Sequence, residues 1–581
     1  MSIEYETGLQ NFVYQVDSGT GRKAIHVAIF ILFAIAVAAL YTYFNFQGLR
    51  DARAMEEAQL ARNLSQGEGL NTRCIRPLSL WKMMETHDGD ARLQGHPDLF
   101  HPPVWPALLS FPLRLAGVPT GKEVASSVMM RDYLPVVFSH LFAILSVVWV
   151  WLIARKLFDA RTGTYSATAY LLCDMVWRRS VAGDDYSAAL FFLLGAAYFA
   201  LRAVDPVRDG RSLPAETPLR FLQWFPALAV SALLTATAFL TRYAAGVIAL
   251  CLFLYIGCAR HRAHSWRHAF LYLLMALLPV GFWAWRNCTL CGLPFGLVFH
   301  QMLSDTYLFP GDALVRSISP SLPEAGTLLY AVQLKWMDNF RQLISTGMGL
   351  GATGLLPALF AAVFLHRFVR PASRILRWCI LPAALLGIVI SAAFSGDAPV
   401  VLALLWPLAI PYAWAFFLVL ADRIQFEYRI FAALAVWLVM FLSAFPFLLN
   451  IVPPRTGLPY PPYYHAYVAW VCGMVEPGET LSTDIPWATS WYGGTPSILL
   501  PRDMEDYYQI TRTCCPVPLI YFTTLTRDKP WVRGLSDPVA PEYSWYRAFS
   551  SGNVPSDFPL IYGRHIAGSD QMVLSARPVF E

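Results

Sequence analysis

Three groups of residues have the types and spacing to do chemistry. The first is acidic: in RDARAMEEAQLARNLSQGEG, Glu56 and Glu57 are adjacent with Asp51 just before them, and a helix over 51–63 would present these carboxylates together. A carboxylate within hydrogen-bond reach of an acceptor proton can act as a general base; the plainer alternative is the solvated flank of a helix. The second is GDDYSAALFFLL, where Asp184 and Asp185 open an apolar run and could complement a helix N-terminus. The third is cationic: Arg242 in Thr241-Arg242-Tyr243 and Arg286 in Trp285-Arg286-Asn287. A guanidinium there could pair with an anionic group or simply anchor a helix end at the interface.

Metal and thiol chemistry have weaker support. His96 and His101 flank Asp98 and offer the one option for a divalent cation, but paired histidines at zinc-ligand spacing are missing. Cys288-Thr289-Leu290-Cys291 is a C-x-x-C and Cys514-Cys515 a vicinal pair, yet no thioredoxin-like βαβ pattern surrounds either. Structural disulfides or free thiols are expected, and no cofactor is assigned.

The elements that must position these groups are membrane helices. The chain is 56% hydrophobic and 14% charged, with mean hydropathy +0.45, against roughly 45–50% apolar and 25% charged in soluble proteins. Its apolar residues form separate blocks long enough to cross a hydrocarbon core. About eleven spans are expected, at 24–45, 134–154, 163–177, 186–203, 222–240, 243–259, 267–285, 347–366, 376–395, 399–420 and 428–450. Thr241-Arg242-Tyr243 divides a 40-residue stretch into two spans, because a charge at mid-bilayer costs about 2.5–3.5 kcal/mol. The net charge of +5 sits in short clusters between apolar blocks, which mark topology rather than nucleic-acid binding.

Basic loops at 154–161, 202–220, 259–268, 366–377 and 422–429 place the N-terminus in the cytoplasm. Arg178-Arg179 stands against that pattern. The loops 46–133 and 288–346, with amphipathic stretches at Met55–Leu64 and Leu328–Leu343, then lie outside with the candidate acids. From 453 the composition turns to Pro, Tyr, Trp and charge with short β-like runs (PSILL, PLIYFTT, MVLSA), read as a small extracytoplasmic α/β domain over 453–581 after a membrane domain over 1–452.

The order of motifs resembles the C-type polytopic glycosyltransferases (GT-C), the superfamily of protein O-mannosyltransferases and the lipid A aminoarabinose transferase. Ala58-Gln59-Leu60-Ala61-Arg62-Asn63, Gly67 and Gly69, and Pro102-Pro103 match the family's first outer loop. Asp184-Asp185, Thr241-Arg242-Tyr243, Trp285-Arg286-Asn287 with Gly292-Leu293-Pro294, and TDIPWATSWYGGTPSILLPR match later motifs, so the resemblance covers nearly the whole chain.

The resemblance implies an inverting transferase in the plasma (inner) membrane. It would move a sugar from a polyprenyl-phosphate donor to a protein, lipid or glycan acceptor outside the cytoplasm. Carried over residue by residue, it makes Glu56, then Asp51, the first-loop base, with Glu57 and His101 as further candidates. It makes Asp184 or Asp185 the second acidic site, and Arg242 and Arg286 the phosphate ligands. One departure stands out: the family's first-loop Asp, seven residues before the Ala of Ala-Arg, is Ala54 here. That keeps a non-catalytic relative of the fold as an alternative. The other alternative, a transporter or flippase of a lipid-linked substrate, requires charges deep within spans and helices broken at the midplane.

Overall fold

A computed structural model describes residues 20–46, 48–87, 89–93, 95–117, 128–204, 219–258, 265–345, 354–394, 398–424, 428–451, 465–523, 525, 545, 558–566 and 571–579. The basic loops 205–218 and 259–264, the first part of the span expected at 347–366, and the turn at Asp397 lie outside these residues.

Among the described residues, eight helical stretches are long and apolar enough to cross a membrane: Val27–Asn45, Arg131–Leu157, Tyr186–Val204, Trp224–Thr241, Ser265–Cys291, Pro371–Phe394, Val401–Ile424 and Ile430–Ile451. They belong to helices α1 (Thr20–Asn45), α5 (Val128–Leu157), α8 (Tyr186–Val204), α9 (Leu219–Thr241), α11 (Ser265–Cys291), α15 (Pro371–Phe394), α16 (Ala398–Ile424) and α17 (Arg429–Ile451). Large apolar side chains such as Leu32, Phe282 and Trp437 are more than three-fifths exposed on them, as lipid-facing surfaces require. The chain is a multi-pass membrane protein, mainly α, with a small sheet toward its C-terminus.

The other three expected spans are shorter helices among the described residues. The stretch at 163–177 is two helices, α6 (Ala160–Leu171) and α7 (Asp174–Val181). The break is held by the Trp177 indole, which donates to the Leu171 carbonyl at 2.6 Å. The stretch at 243–259 is a 3-10 turn, Tyr243–Gly246, followed by α10 (Val247–Cys258). Within 354–366 lies only α14 (Leu356–Val363).

The first loop is built from α2 (Ala52–Ser65), strand β1 (Cys74–Ile75), α3 (Pro77–Thr86) and α4 (Val104–Ala116). Asp51 caps α2, accepting from the Arg53 and Ala54 amides at 2.8 and 3.4 Å, which satisfies two otherwise unpaired donors. The second long loop contains α12 (Ala313–Arg316) and the amphipathic α13 (Ala325–Ser345).

The C-terminal unit holds α18 (His465–Gly473), α19 (Met504–Thr513) and strands β2 (Leu481–Thr483), β3 (Ser497–Leu499), β4 (Leu519–Phe522), β5 (Tyr562–His565) and β6 (Met572–Ser575). These strands and β1 form one sheet in the order β1-β3-β2-β4-β6-β5. The first four are parallel; β6 and β5 join antiparallel. The first loop thus supplies the edge strand of the C-terminal sheet, Cys74 pairing with Ser497 and Ile75 with Ile498.

Candidate functional site: two charge-balanced clusters on the first-loop helix

Residues four apart on a helix share a face, so the sequence of α2 places Arg53 and Glu57 side by side. Arg53 Nε donates to Glu57 Oε1 at 2.9 Å, and its Nη2 donates to Asp185 Oδ2 at 2.7 Å. Asp184 and Asp185 follow Gly183, whose φ of +76° is open to glycine at no steric cost and closes the turn between α7 and α8. Asp184 caps α8 by accepting from the Tyr186 amide at 3.1 Å. Arg242 sits where α9 ends, in the extended residue between that helix and the 3-10 turn. Its Nη1 donates to Asp184 Oδ2 at 3.0 Å and also to Asp185. Three buried carboxylates therefore meet two guanidiniums.

That ratio leaves one negative charge unmatched, and the electrostatics show where it is relieved. Burial and the adjacent Asp185 charge hold Glu57 protonated well above the ordinary carboxylate range, against the pull of Arg53. Burial also raises Asp184, with Arg242 opposing. Asp185 moves the other way: burial disfavours its charge, but Arg242, Arg53 and a hydrogen bond with Glu57 outweigh that. One proton retained by the acids balances the cluster, and Glu57 Oε2 has no hydrogen-bond partner as an acceptor among the described residues.

A second cluster lies on the neighbouring face of α2. Arg76 Nη2 donates to both oxygens of Glu56, at 2.8 and 2.7 Å, and stacks over the Phe100 ring at 4.2 Å. His101 bridges Glu56 and Asp98, each ring nitrogen 3.1 Å from a carboxylate oxygen. The His101 amide also donates to Asp98, at 2.7 Å. Facing carboxylates at both ends, the ring keeps both protons. Burial opposes this, yet Asp98 and Glu56 raise His101 to about 10. Glu56 is lowered to about 2 despite its burial, through Arg76 and His101.

The remaining sequence candidates lie nearby in other roles. Asp51 is the α2 cap. Arg286 donates to the Asp98 carbonyl at 2.9 Å and to Asn287 Oδ1 at 2.8 Å, and packs over Trp283. His96 faces the Ala91 carbonyl and Ser79 Oγ rather than a carboxylate. Ala54 is fully buried in an apolar cluster with Leu49, Trp105 and Leu109.

All ten cysteines, Cys288, Cys291, Cys514 and Cys515 among them, are free thiols. Among the described residues no group of three or more His, Cys, Asp and Glu is arranged to hold a metal.

Sequence reasoning missed Arg53, Arg76 and Asp132. The Arg53/Glu57 spacing was a readable signal. Arg76 reaches Glu56 across 20 residues, and no local pattern marks it. Asp132 accepts from the Trp491 indole and the Tyr492 hydroxyl, each at 2.9 Å, and so ties the start of α5 to the C-terminal unit. Arg62, in the Ala-Arg motif, donates to the Ser490 and Trp491 carbonyls at 2.6 and 2.8 Å in the same place.

No protein-family model and no curated protein matches the sequence. The fold does have solved likenesses. ArnT from Cupriavidus metallidurans bound to undecaprenyl phosphate superposes with a TM-score of 0.53 at 12% identity, covering 97% of this chain and 99% of that one. The oligosaccharyltransferase AglB of Archaeoglobus fulgidus, in complex with an inhibitory peptide and a dolichol-phosphate, gives 0.51 at 12% identity over 87% and 70%. The Archaeoglobus fulgidus oligosaccharyltransferase in complex with Zn and sulfate gives 0.54 at 12% identity over 86% and 69%. On these superpositions, which cover 86%, 87% and 97% of it, the chain has the C-type fold of polytopic membrane glycosyltransferases.

Proposed function

We propose that the protein transfers a sugar from a polyprenyl-phosphate donor to an acceptor on the side of the membrane where the sheet lies. The observation that carries this reading is the buried cluster of Glu57, Asp184, Asp185, Arg53 and Arg242 at the junction of the first loop and the bundle. Its support in kind comes from the structural neighbours, one bound to undecaprenyl phosphate and one to a dolichol-phosphate and a peptide. A membrane domain over 1–452, a soluble domain over 453–581, a cytoplasmic N-terminus and residence in the plasma (inner) membrane belong to the same proposal.

In this reaction an acceptor hydroxyl or amide attacks the anomeric carbon from the face opposite the phosphate, so the configuration inverts. The bond from that carbon to the phosphate oxygen breaks, and its electron pair leaves with the lipid phosphate. The acceptor proton passes to a carboxylate. Glu57, once ionised, suits this role best, because both oxygens of Glu56 are already occupied by Arg76 and His101 while Glu57 has an oxygen free of donors. Position 54 faces apolar residues, so an acid there would point away from the cluster; Glu57, one turn along, faces it. Asp185 orients Arg53 and Arg242, whose charge meets the developing phosphate. Arg286, half-buried beside Asp98, is the further cation on that side.

A divalent ion, present as Zn in one neighbour, fits these residues poorly. Both oxygens of Asp185, at the centre of the cluster, are already held by guanidiniums, and no step is assigned to one.

Mass analysis of lipid and glycan fractions from cells with and without the gene tests the proposal. A species carrying one sugar more in the presence of the wild-type chain, and absent with Glu57→Gln, is expected. Identical fractions in all three cases would contradict it.

A further inference from the structure

The cation in the acid cluster is part of the chain. Arg53 lies between the first-loop carboxylate and the second acidic pair, with Nε on Glu57 at 2.9 Å and Nη2 on Asp185 at 2.7 Å. Its two partners are buried, while its own side chain is 34% exposed. Nη1 donates no hydrogen bond among the described residues, so one edge of a planar five-donor group faces outward from the acids. Bridging two carboxylates while leaving an open face for an anionic oxygen is what a divalent ion does at a phosphate-handling site. Here a guanidinium does it, and the fork geometry of that group suits phosphate.

We infer that Arg53 is the resident cation of this site: it takes the place of a divalent metal between Glu57 and Asp185 and presents its open edge to the donor phosphate, so that transfer requires no added metal. The assignment of the open edge to a donor phosphate and the metal-independence of transfer rest on the transferase reading; the place of Arg53 as the cation between the two acids does not.

Charge balance supports the inference. With Arg53 and Arg242 in place, a single retained proton neutralises Glu57, Asp184 and Asp185, and a divalent ion would bring two charges too many. Removing Arg53 leaves three carboxylates against one guanidinium. Hard oxygen donors in that excess are what Mn2+ or Mg2+ selects.

The test is a Mn2+ titration of the purified full-length protein, read by electron paramagnetic resonance without substrate. The wild-type chain is expected to bind no Mn2+ in stoichiometric amount, and Arg53→Gln to gain one site that Asp185→Asn in the same chain removes. In the transfer assay, wild-type turnover is expected to survive EDTA. Arg53→Gln is expected to lose about 100-fold, comparable to losing one preorganised donor, and to recover in part with Mn2+.

Stoichiometric Mn2+ in the wild type that Asp185→Asn abolishes would overturn the inference, as would a folded Arg53→Gln that gains no site. If Arg53→Gln does not fold, the wild type decides alone: no bound Mn2+ and turnover insensitive to EDTA sustain the inference, and the opposite of either defeats it. The Mn2+ readout needs no donor lipid. A chain that transfers no sugar therefore fails the functional reading without touching this one, and EDTA-sensitive transfer does the reverse.

Discussion

Glu56 and Glu57 are adjacent in the chain and opposite in their chemistry, because a helix turns by 100° per residue and each meets different partners. Glu56 is spent on structure. Removing one partner of a buried pair costs about 3–5 kcal/mol, so Glu56→Gln should lower the thermal midpoint of the detergent-solubilised protein by several degrees. Glu57→Gln should leave that midpoint nearly unchanged while reducing transfer by about 10²–10⁴, the range for a positioned acid–base group. The reverse pattern, with activity lost only at Glu56, would exchange their roles. Because Glu57 is held protonated above the usual carboxylate range, transfer should speed up as pH rises beyond that range, and this rise should vanish in Glu57→Gln.

His101 gives a stability prediction of opposite character. Its folded value, about 10, lies above its ordinary 6.5, so the stability it contributes is fully present below about pH 6.5 and is lost as pH rises through about 10. The thermal midpoint should fall across that interval, and the fall should be reduced in His101→Gln, whose amide cannot titrate. A profile identical in both proteins would remove His101 from the account.

At the scale of elements, the turn carrying the second acidic pair depends on one glycine. A Cβ at Gly183 would stand 3.1 Å from Leu49 and 3.3 Å from both Pro135 and Val136, on a backbone with φ +76°. Gly183→Ala should therefore cost about 1–2 kcal/mol from the left-handed conformation alone, more from the crowding, and should displace Asp184 and Asp185 from Arg242. The measurement is the thermal midpoint together with transfer, and both should fall; a fully active, fully stable variant would mean that the turn does not position the pair.

How much of these elements could be read beforehand varies with the range of the interactions. The break at Arg242 was legible because a charge cannot sit at mid-bilayer. The runs PSILL, PLIYFTT and MVLSA did become β3, β4 and β6. The division of α6 from α7 was hidden, since an apolar run shows no sign of an indole closing on a carbonyl. Strand β1 is two residues long, below any periodicity, and is defined only by its pairing with β3. The Arg53–Glu57 pair was visible as an i,i+4 spacing, whereas Arg76 and His101 reach Glu56 only through tertiary structure. Arg178, which the loop-charge pattern left unexplained, pairs with buried Asp174.

For the whole molecule, the C-terminal sheet is joined to the membrane part at several points. It takes β1 from the first loop, receives Arg62 on the 490–491 carbonyls, and offers Trp491 and Tyr492 to Asp132. Val468, Trp491 and Tyr492 share one apolar cluster with Ala54, Trp105, Val136 and Ala188. Asp132→Ala leaves an indole N–H and a phenol without their acceptor, at about 1–3 kcal/mol each. It should make the C-terminal unit more susceptible to limited proteolysis while the membrane helices stay protected. Unchanged cleavage would show that the sheet is held without that contact.

The central claim is that the first-loop carboxylate and the arginine-bridged aspartates act on a lipid-phosphate sugar. The most direct measurement is consumption of a radiolabelled polyprenyl-phosphate sugar by the purified protein in lipid nanodiscs, followed as free polyprenyl phosphate released in the presence of membrane extract as acceptor. The account predicts steady release by the wild-type chain and at least about 100-fold less by folded Glu57→Gln and Asp185→Asn. Release at the wild-type rate by both variants, or none by the wild type, would contradict it.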